Sequence, residues 1–288
     1  MTVTELQSRA ASESVDVAST PWQRPRLAGA KSLRVRRLVP PLVVTALLLG
    51  GWQLYVTVSQ VNVEILPGPW RVAAQGWDNR GVLWSNTVPT LEETLWGFAF
   101  SIVVAWILAV ACDFWSLVRR GVEPLLVVSQ TIPVVAIAPL FIIWFGFAML
   151  PKILIVALVT FFPITVSLLQ GFRTTPSEAT NLLRSMGAGR WQQFRRVRVP
   201  TALPFFFAGL RIAITYAVVG AIFGEFVGAE SGLGIFMETS KNARRTDLVL
   251  AAVALSAVIS LVLYFAVSFI ERLVTPWSVN SSTKAGST

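Results

Sequence analysis

The stretch Gly171 to Pro200, GFRTTPSEATNLLRSMGAGRWQQFRRVRVP, carries Arg173, Arg184, Arg190, Arg195, Arg196 and Arg198 and separates two strongly apolar runs. Arginines at this density do not lie in hydrocarbon, so the stretch reads as a loop outside a membrane, placed to dock something in the cytoplasm. The runs that flank it then read as spans.

Working outward, apolar runs that reach or approach the roughly 20 helical residues needed to cross a hydrocarbon core lie near Leu38 to Val58, Thr94 to Phe114, Leu125 to Met149, Ile153 to Leu169, Leu203 to Val227 and Leu248 to Ile270. A chain that is 54% hydrophobic and 14% charged has too little polar surface to cover a soluble globule of 288 residues. The expected fold is all-α: a polytopic membrane helix bundle of about six transmembrane helices. The third run contains Pro133 and Pro139, so it is either one span or a broken helix whose freed backbone groups find partners among neighbouring helices.

Cations fix the expected orientation, because Lys and Arg near span ends favour the cytoplasm. With both termini inside, most basic residues fall on the N-terminal tail, Arg119 and Arg120, the long loop, Arg272 and Lys284. Arg71, Arg80, Lys152, Lys241, Arg244 and Arg245 fall outside, and Arg211 is the one basic residue expected within a span. Residues 1–37, rich in Ser, Ala and Arg, read as a disordered cytoplasmic tail rather than a cleaved signal peptide, 38–273 as the transmembrane domain and 274–288 as a second flexible cytoplasmic tail.

The net charge of +9 does not point to nucleic acid, since the cations sit beside spans and anionic lipid headgroups account for them. The single Cys112 offers no disulfide framework and no thiol metal site, and the chain has no histidine to serve as base or metal ligand. A membrane enzyme is disfavoured for the same reasons. Between the first two spans, Trp70, Trp77 and Trp84 recur every seven residues. This spacing predicts a short interfacial helix within Pro69 to Trp84, for membrane anchoring or contact with an external partner.

Inside the basic loop, Thr175 supplies a capping hydroxyl, Pro176 a first helical position and Glu178 a third, which predicts a helix start. The helix is expected to break at Gly187-Ala188-Gly189, resume at Arg190 and end at Pro200. Two short amphipathic helices at an angle result.

The spacing of Gly187, Val197, Val199 and Pro200 resembles the cytoplasmic signature loop of the membrane-spanning subunits of ABC importers. The family's Glu-Ala-Ala opening is replaced by Asn181-Leu182-Leu183, and Glu178-Ala179-Thr180 lies three residues too early for that register. Further stretches resemble the nitrate, sulfonate and taurine permease group: Ser129-Gln130-Thr131-Ile132-Pro133, Ala138-Pro139-Leu140, Trp144-Phe145-Gly146, Gly209-Leu210-Arg211, and Gly224 to Ala229 with Gly232-Leu233-Gly234. Within that group, Leu182 to Gly187 and the Gln-Thr-Ile-Pro stretch look most like permeases for pyrimidine precursors of thiamine.

The resemblance implies a permease in a bacterial plasma membrane, a second copy of the chain forming a homodimer, an extracytoplasmic solute-binding protein, and separate ABC ATPase subunits that carry ATP and Mg. The chain has no Gly-x-x-x-x-Gly-Lys-Ser/Thr phosphate loop and binds no cofactor in this scheme. The loop then becomes a coupling-helix loop, with Glu178, Arg184, Met186, Gly187, Ala188, Trp191, Phe194, Val197 and Pro200 as ATPase-docking candidates. Met186, Trp191 and Phe194 either meet the ATPase or pack back on their own bundle. For the solute route the candidates are Gln130, Thr131, Trp144, Phe145 and Glu225, the last expected near the outer end of the fifth span and nearly alone as an intramembrane carboxylate. Arg211 either pairs across the bundle or reaches the headgroups. With Arg211 the one cation expected inside a span, aromatic side chains such as Trp144, Phe145 and Phe226 suit a flat neutral heterocycle, and nitrate, taurine or an alkanesulfonate stands as the alternative solute. A secondary transporter is the alternative class, and it would call for more buried carboxylates.

Overall fold

The computed structural model describes residues 30–277, with side chains from Val39 onward. All regular structure among the described residues is helical. Helix α1 (Ala30–Val58) contains an apolar span of 20 residues, Val39–Val58. It starts before residue 38, so the expected tail boundary falls inside a helix, while residues 1–29 and 278–288 lie outside the described residues. Met1–Trp52 and Gln53–Thr288 are separate compact units, and the bundle belongs to the second.

Helix α2 (Pro69–Asp78) begins with a proline whose fixed φ suits a first turn. It stops at Asn79, whose side-chain amide donates to the Gln75 carbonyl at 2.8 Å and competes with helix continuation. Helix α3 (Arg80–Phe114) starts immediately after. The single tryptophan-bearing helix expected from sequence is therefore two: Trp70 and Trp77 lie on α2, Trp84 on the first turns of a 35-residue helix that reaches well past the expected span start at Thr94.

The third apolar run is broken. Helix α4 (Ser116–Ser129) and helix α5 (Val134–Phe145) meet at 103° across Gln130 to Pro133. Pro133 has no N–H to continue the ladder and disfavours helical geometry in the residue before it. Among the described residues, five helices are long and apolar enough to span, or six if this bent pair counts as one. Gly146, at φ +77, ends α5 with its N–H on the Ile142 carbonyl.

Helix α6 (Met149–Arg173) is the centre of the bundle. Small residues bring its neighbours to backbone distance: a Cβ at Gly97 of α3 would stand 2.5 Å from the Val156 side chain, and one at Gly209 would stand 2.8 Å from the Pro163 carbonyl. Gly209 belongs to a helix that presents Ala213, Ala217 and Ala221 along the same buried stripe. Large apolar side chains such as Leu261, Phe265 and Phe269 face outward, as lipid contact requires.

The basic loop contains helix α7 (Ser177–Ser185), the short helix α8 (Arg190–Gln193) and a π turn at Phe194–Arg198. Pro176 is extended and takes the cap position expected of Thr175, so Glu178 sits second rather than third in α7. Pro200 does not end the helix. The chain runs straight into helix α9 (Val199–Phe226), and Arg190–Phe226 is helical throughout. The wider π turn accommodates the missing N–H of Pro200, and Thr201 Oγ1 donates to the Val197 carbonyl at 2.8 Å. Helix α10 (Leu233–Asn242) and helix α11 (Thr246–Val274) follow.

Candidate functional site

Three regions bring polar chemistry together. At the loop end, Gly187 adopts φ +82, a conformation that side chains other than glycine rarely take. Its N–H donates to the Arg184 carbonyl at 3.0 Å and that of Ala188 to the Leu183 carbonyl at 2.9 Å, closing α7. Gln193 Nε2 donates to the Ala188 carbonyl at 2.9 Å, which ties the turn to α8. The angled helix pair is therefore held by hydrogen bonds across the bend.

The loop's apolar residues divide. Met186 is 74% exposed and Trp191 61%, with Leu182 exposed beside them. Phe194 is 5% exposed. Its ring lies 5.3 Å from Phe114, 5.6 Å from Phe172 and 5.5 Å from Trp191, so it packs back on the bundle and is closed to a partner, in contrast to its expected place in a docking surface. Val197, Ala188 and Pro200 are half-buried, while Glu178 and Arg184 are exposed. Ion pairs hold the loop's ends: Arg198 to Asp113, and Arg173 to Glu123, which also accepts from Arg119 at 2.8 Å. Arg184, Arg190, Arg195 and Arg196 make no ion pair among the described residues.

The second region is a cavity of about 570 Å³ between the break of the third run, α6 and α9. Ser129 and Gln130 meet Phe162, Ser167 and Tyr216 there, with aliphatic walls from Val159 and Ile212 and no ionisable group other than the tyrosine. Pro163 leaves the Val159 carbonyl without its usual helical donor. Of the residues expected on the solute route, only Gln130 lines this cavity. Thr131 turns its hydroxyl to the Val128 carbonyl at 2.8 Å, and Trp144 and Phe145 are exposed on α5, away from the cavity walls.

Glu225 lies in the third region, and it is not alone. It is fully buried, accepting from Thr90 Oγ1 at 2.6 Å and from the Gly234 N–H. Gly232, at φ +128, crosses so close that a Cβ there would collide with the Glu225 carboxyl. Beside this group, Lys152 Nζ meets Glu93 Oε1 at 2.6 Å with both side chains buried. Lys152, expected outside the membrane, lies in the first turns of α6 against α3, because Glu93 provides the opposite charge that makes its burial tolerable. Arg211 is thus not the only basic residue in a span, and it pairs across the bundle with Glu271 at 2.6 Å.

Sequence reasoning missed Glu93 and Lys152. The signal was present in Glu92-Glu93, a carboxylate pair running directly into an apolar segment, and in a lysine directly before the fourth run. Tyr216 and Ser167 were missed because helical polar residues give no sequence sign of which face they occupy.

Membrane-length helices packed through glycine, an uncharged cavity between them and an ordered basic loop at one end define an α-helical membrane transport subunit. Residues 97–277 match the binding-protein-dependent transport system inner membrane component family, and the chain belongs to it. It is an ABC importer permease subunit, a multi-pass protein of the inner membrane. The riboflavin transport system permease protein RibX of Chloroflexus aurantiacus is 38% identical over 240 residues, covering 83% of this chain and 90% of that one. The formylaminopyrimidine transport permease protein ThiX of Halalkalibacterium halodurans is 38% identical over 214 residues, covering 74% and 86%. In fold, a chain of the inward-facing MetNI methionine ABC transporter superposes with a TM-score of 0.60 at 21% identity, covering 69% of this chain and 98% of that one. Family membership sets aside the secondary-transporter alternative.

Proposed function

We propose that two copies of this chain form the pathway of an ATP-driven importer, with ATPase subunits docked on the basic loop and an external binding protein delivering a flat nitrogen heterocycle. A hydroxymethylpyrimidine-type thiamine precursor is the solute we favour. In this reading both termini are cytoplasmic and the loop, anchored by Phe194, presents Leu182 and Met186 to a cleft on each ATPase. Closure of the ATPase pair on nucleotide moves α7 and α8, and the differential contact with open and closed partners biases the pathway between its two accesses. ATP and Mg stay on the partner.

The observation that carries the solute class is the uncharged cavity beside Gln130. Its amide and the hydroxyls of Ser129, Ser167 and Tyr216 offer donors and acceptors, and Phe162 offers an apolar wall. A sulfonate or nitrate would call for an unpaired cation or helix N-termini. Buried Lys152 and half-buried Arg211 are both neutralised by carboxylates. The names of the two relatives support the same class, since riboflavin and formylaminopyrimidine both contain a pyrimidine ring.

Purification of the tagged chain with its neighbours from native membranes tests the whole reading. The expected result is a co-purifying ATPase whose activity in proteoliposomes rises with a hydroxymethylpyrimidine and its binding protein. Stimulation by taurine or nitrate instead would refute the solute class, and uptake that runs without ATP would refute the energy source.

A further inference from the structure

A second cleft, of about 470 Å³, lies at the loop end between the junction of α3 with α4 and the short helices of the loop. Four guanidiniums line it, those of Arg119, Arg184, Arg190 and Arg198. Asp113 neutralises Arg198 and Glu123 engages Arg119, whereas Arg184 and Arg190 have no acidic partner among the described residues. The first residues of α4, Ser116 and Leu117, form part of the same wall. No side chain caps this 14-residue helix and its first turn holds no acid, so its N-terminal N–H groups add positive potential to that of the arginines.

We infer that this cleft binds the phosphate of an anionic phospholipid headgroup. Paired forks from two arginines match phosphate oxygens with charge-assisted hydrogen bonds, and the helix start supplies further donors. The lipid source follows from the rim. Trp115 is 62% exposed and Leu117 82%, and both adjoin the end of the apolar span that closes at Phe114. A tryptophan beside arginines at a span end sits where headgroups give way to acyl chains. A soluble anion would have no use for that apolar lip.

The site is distinct in chemistry from the loop's exposed apolar tip at Met186, and lipid there would brace the bend between α7 and α8 from the side. The test uses the full chain, stripped of lipid in neutral detergent and titrated with phosphatidylglycerol or phosphatidylcholine, with adducts counted by native mass spectrometry. The expected result is selective retention of phosphatidylglycerol by the wild type. The double variant Arg184→Gln, Arg190→Gln should weaken it about thirtyfold, from the usual contribution of two basic residues at an anionic surface. Arg195→Gln, Arg196→Gln, which removes the same charge outside the cleft, should stay within about twofold of wild type on the same scale. Equal retention of phosphatidylcholine, or an equal loss in the two double variants, would overturn the site. Displacement by inorganic phosphate as effective as that by phosphatidylglycerol would overturn the lipid assignment.

Discussion

Replacing Lys152 by methionine removes one half of the buried pair with Glu93 while keeping most of the side-chain volume. At 2.6 Å and an effective dielectric near 20, the attraction lost is about 6 kcal/mol. Part of that offsets the desolvation of the two ions, so the expected loss is about 3–5 kcal/mol. The structure places the result toward the upper part of this range, because Glu93 Oε2 has no other hydrogen-bond partner and the carboxylate would be left buried and unpaired. For a chain of this size the melting midpoint should fall by about 10 °C. The assay is the thermal unfolding of the purified chain in one detergent, with Glu93→Leu, Lys152→Met alongside. That double replacement removes the stranded charge and should recover to within about 1 kcal/mol of wild type. Two results would refute the reasoning: a Lys152→Met chain that melts with the wild type, or a double variant as unstable as the sum of its parts.

Gly187→Pro demands φ near −65° at a residue held at +82° and deletes the N–H on Arg184, so ATP-dependent uptake should be lost while membrane insertion, read by protease accessibility, is unchanged. Phe194→Ala opens a cavity among Phe114 and Phe172 and should destabilise the chain by about 3–5 kcal/mol, read as an earlier melt and faster proteolysis within 174–198. Gly209→Leu forces α9 off α6 at Ser167 and Pro163, and the expected outcome is loss of folded monomer in gel filtration. Gln130→Leu keeps the shape of the cavity wall but removes its amide, so pyrimidine uptake should lose about tenfold in kcat/KM with expression unchanged.

Much of the fold was legible because its signals are local. Apolar runs located the spans, Pro133 raised a broken helix as one of two readings of the third run, and Gly187 marked the bend between the loop helices. The failures were of two physical kinds. Pro200 and Thr175 were read by helix-end rules that assume a chain entering from solvent, whereas a π turn and an extended Pro176 shift the register by tertiary fit. Lys152 was placed by hydropathy, which does not see that a carboxylate on a neighbouring helix can hold a cation in the interior, whereas Arg211 lies within a span and pairs across the bundle as one of its two expected readings had it. The spread of the solute-route candidates has the same origin: Gln130, Trp144 and Glu225 belong to one family pattern in sequence, yet only the first lines the cavity, and Glu225 is enclosed with Thr90 and Gly234.

The helix that begins at Arg190 continues without a break to Phe226, 37 residues and about 55 Å at 1.5 Å per residue. One end emerges from the bend at Gly187 and the other carries Glu225 into its enclosure beneath Gly232. A connecting rod of this kind has no break along the membrane in which a displacement could dissipate, and its soft points, the π turn and Pro204, both lie toward its foot. Pushing on the loop should therefore move the far enclosure in the same stroke, so that one rigid element fixes the order in which the two ends of the permease can open.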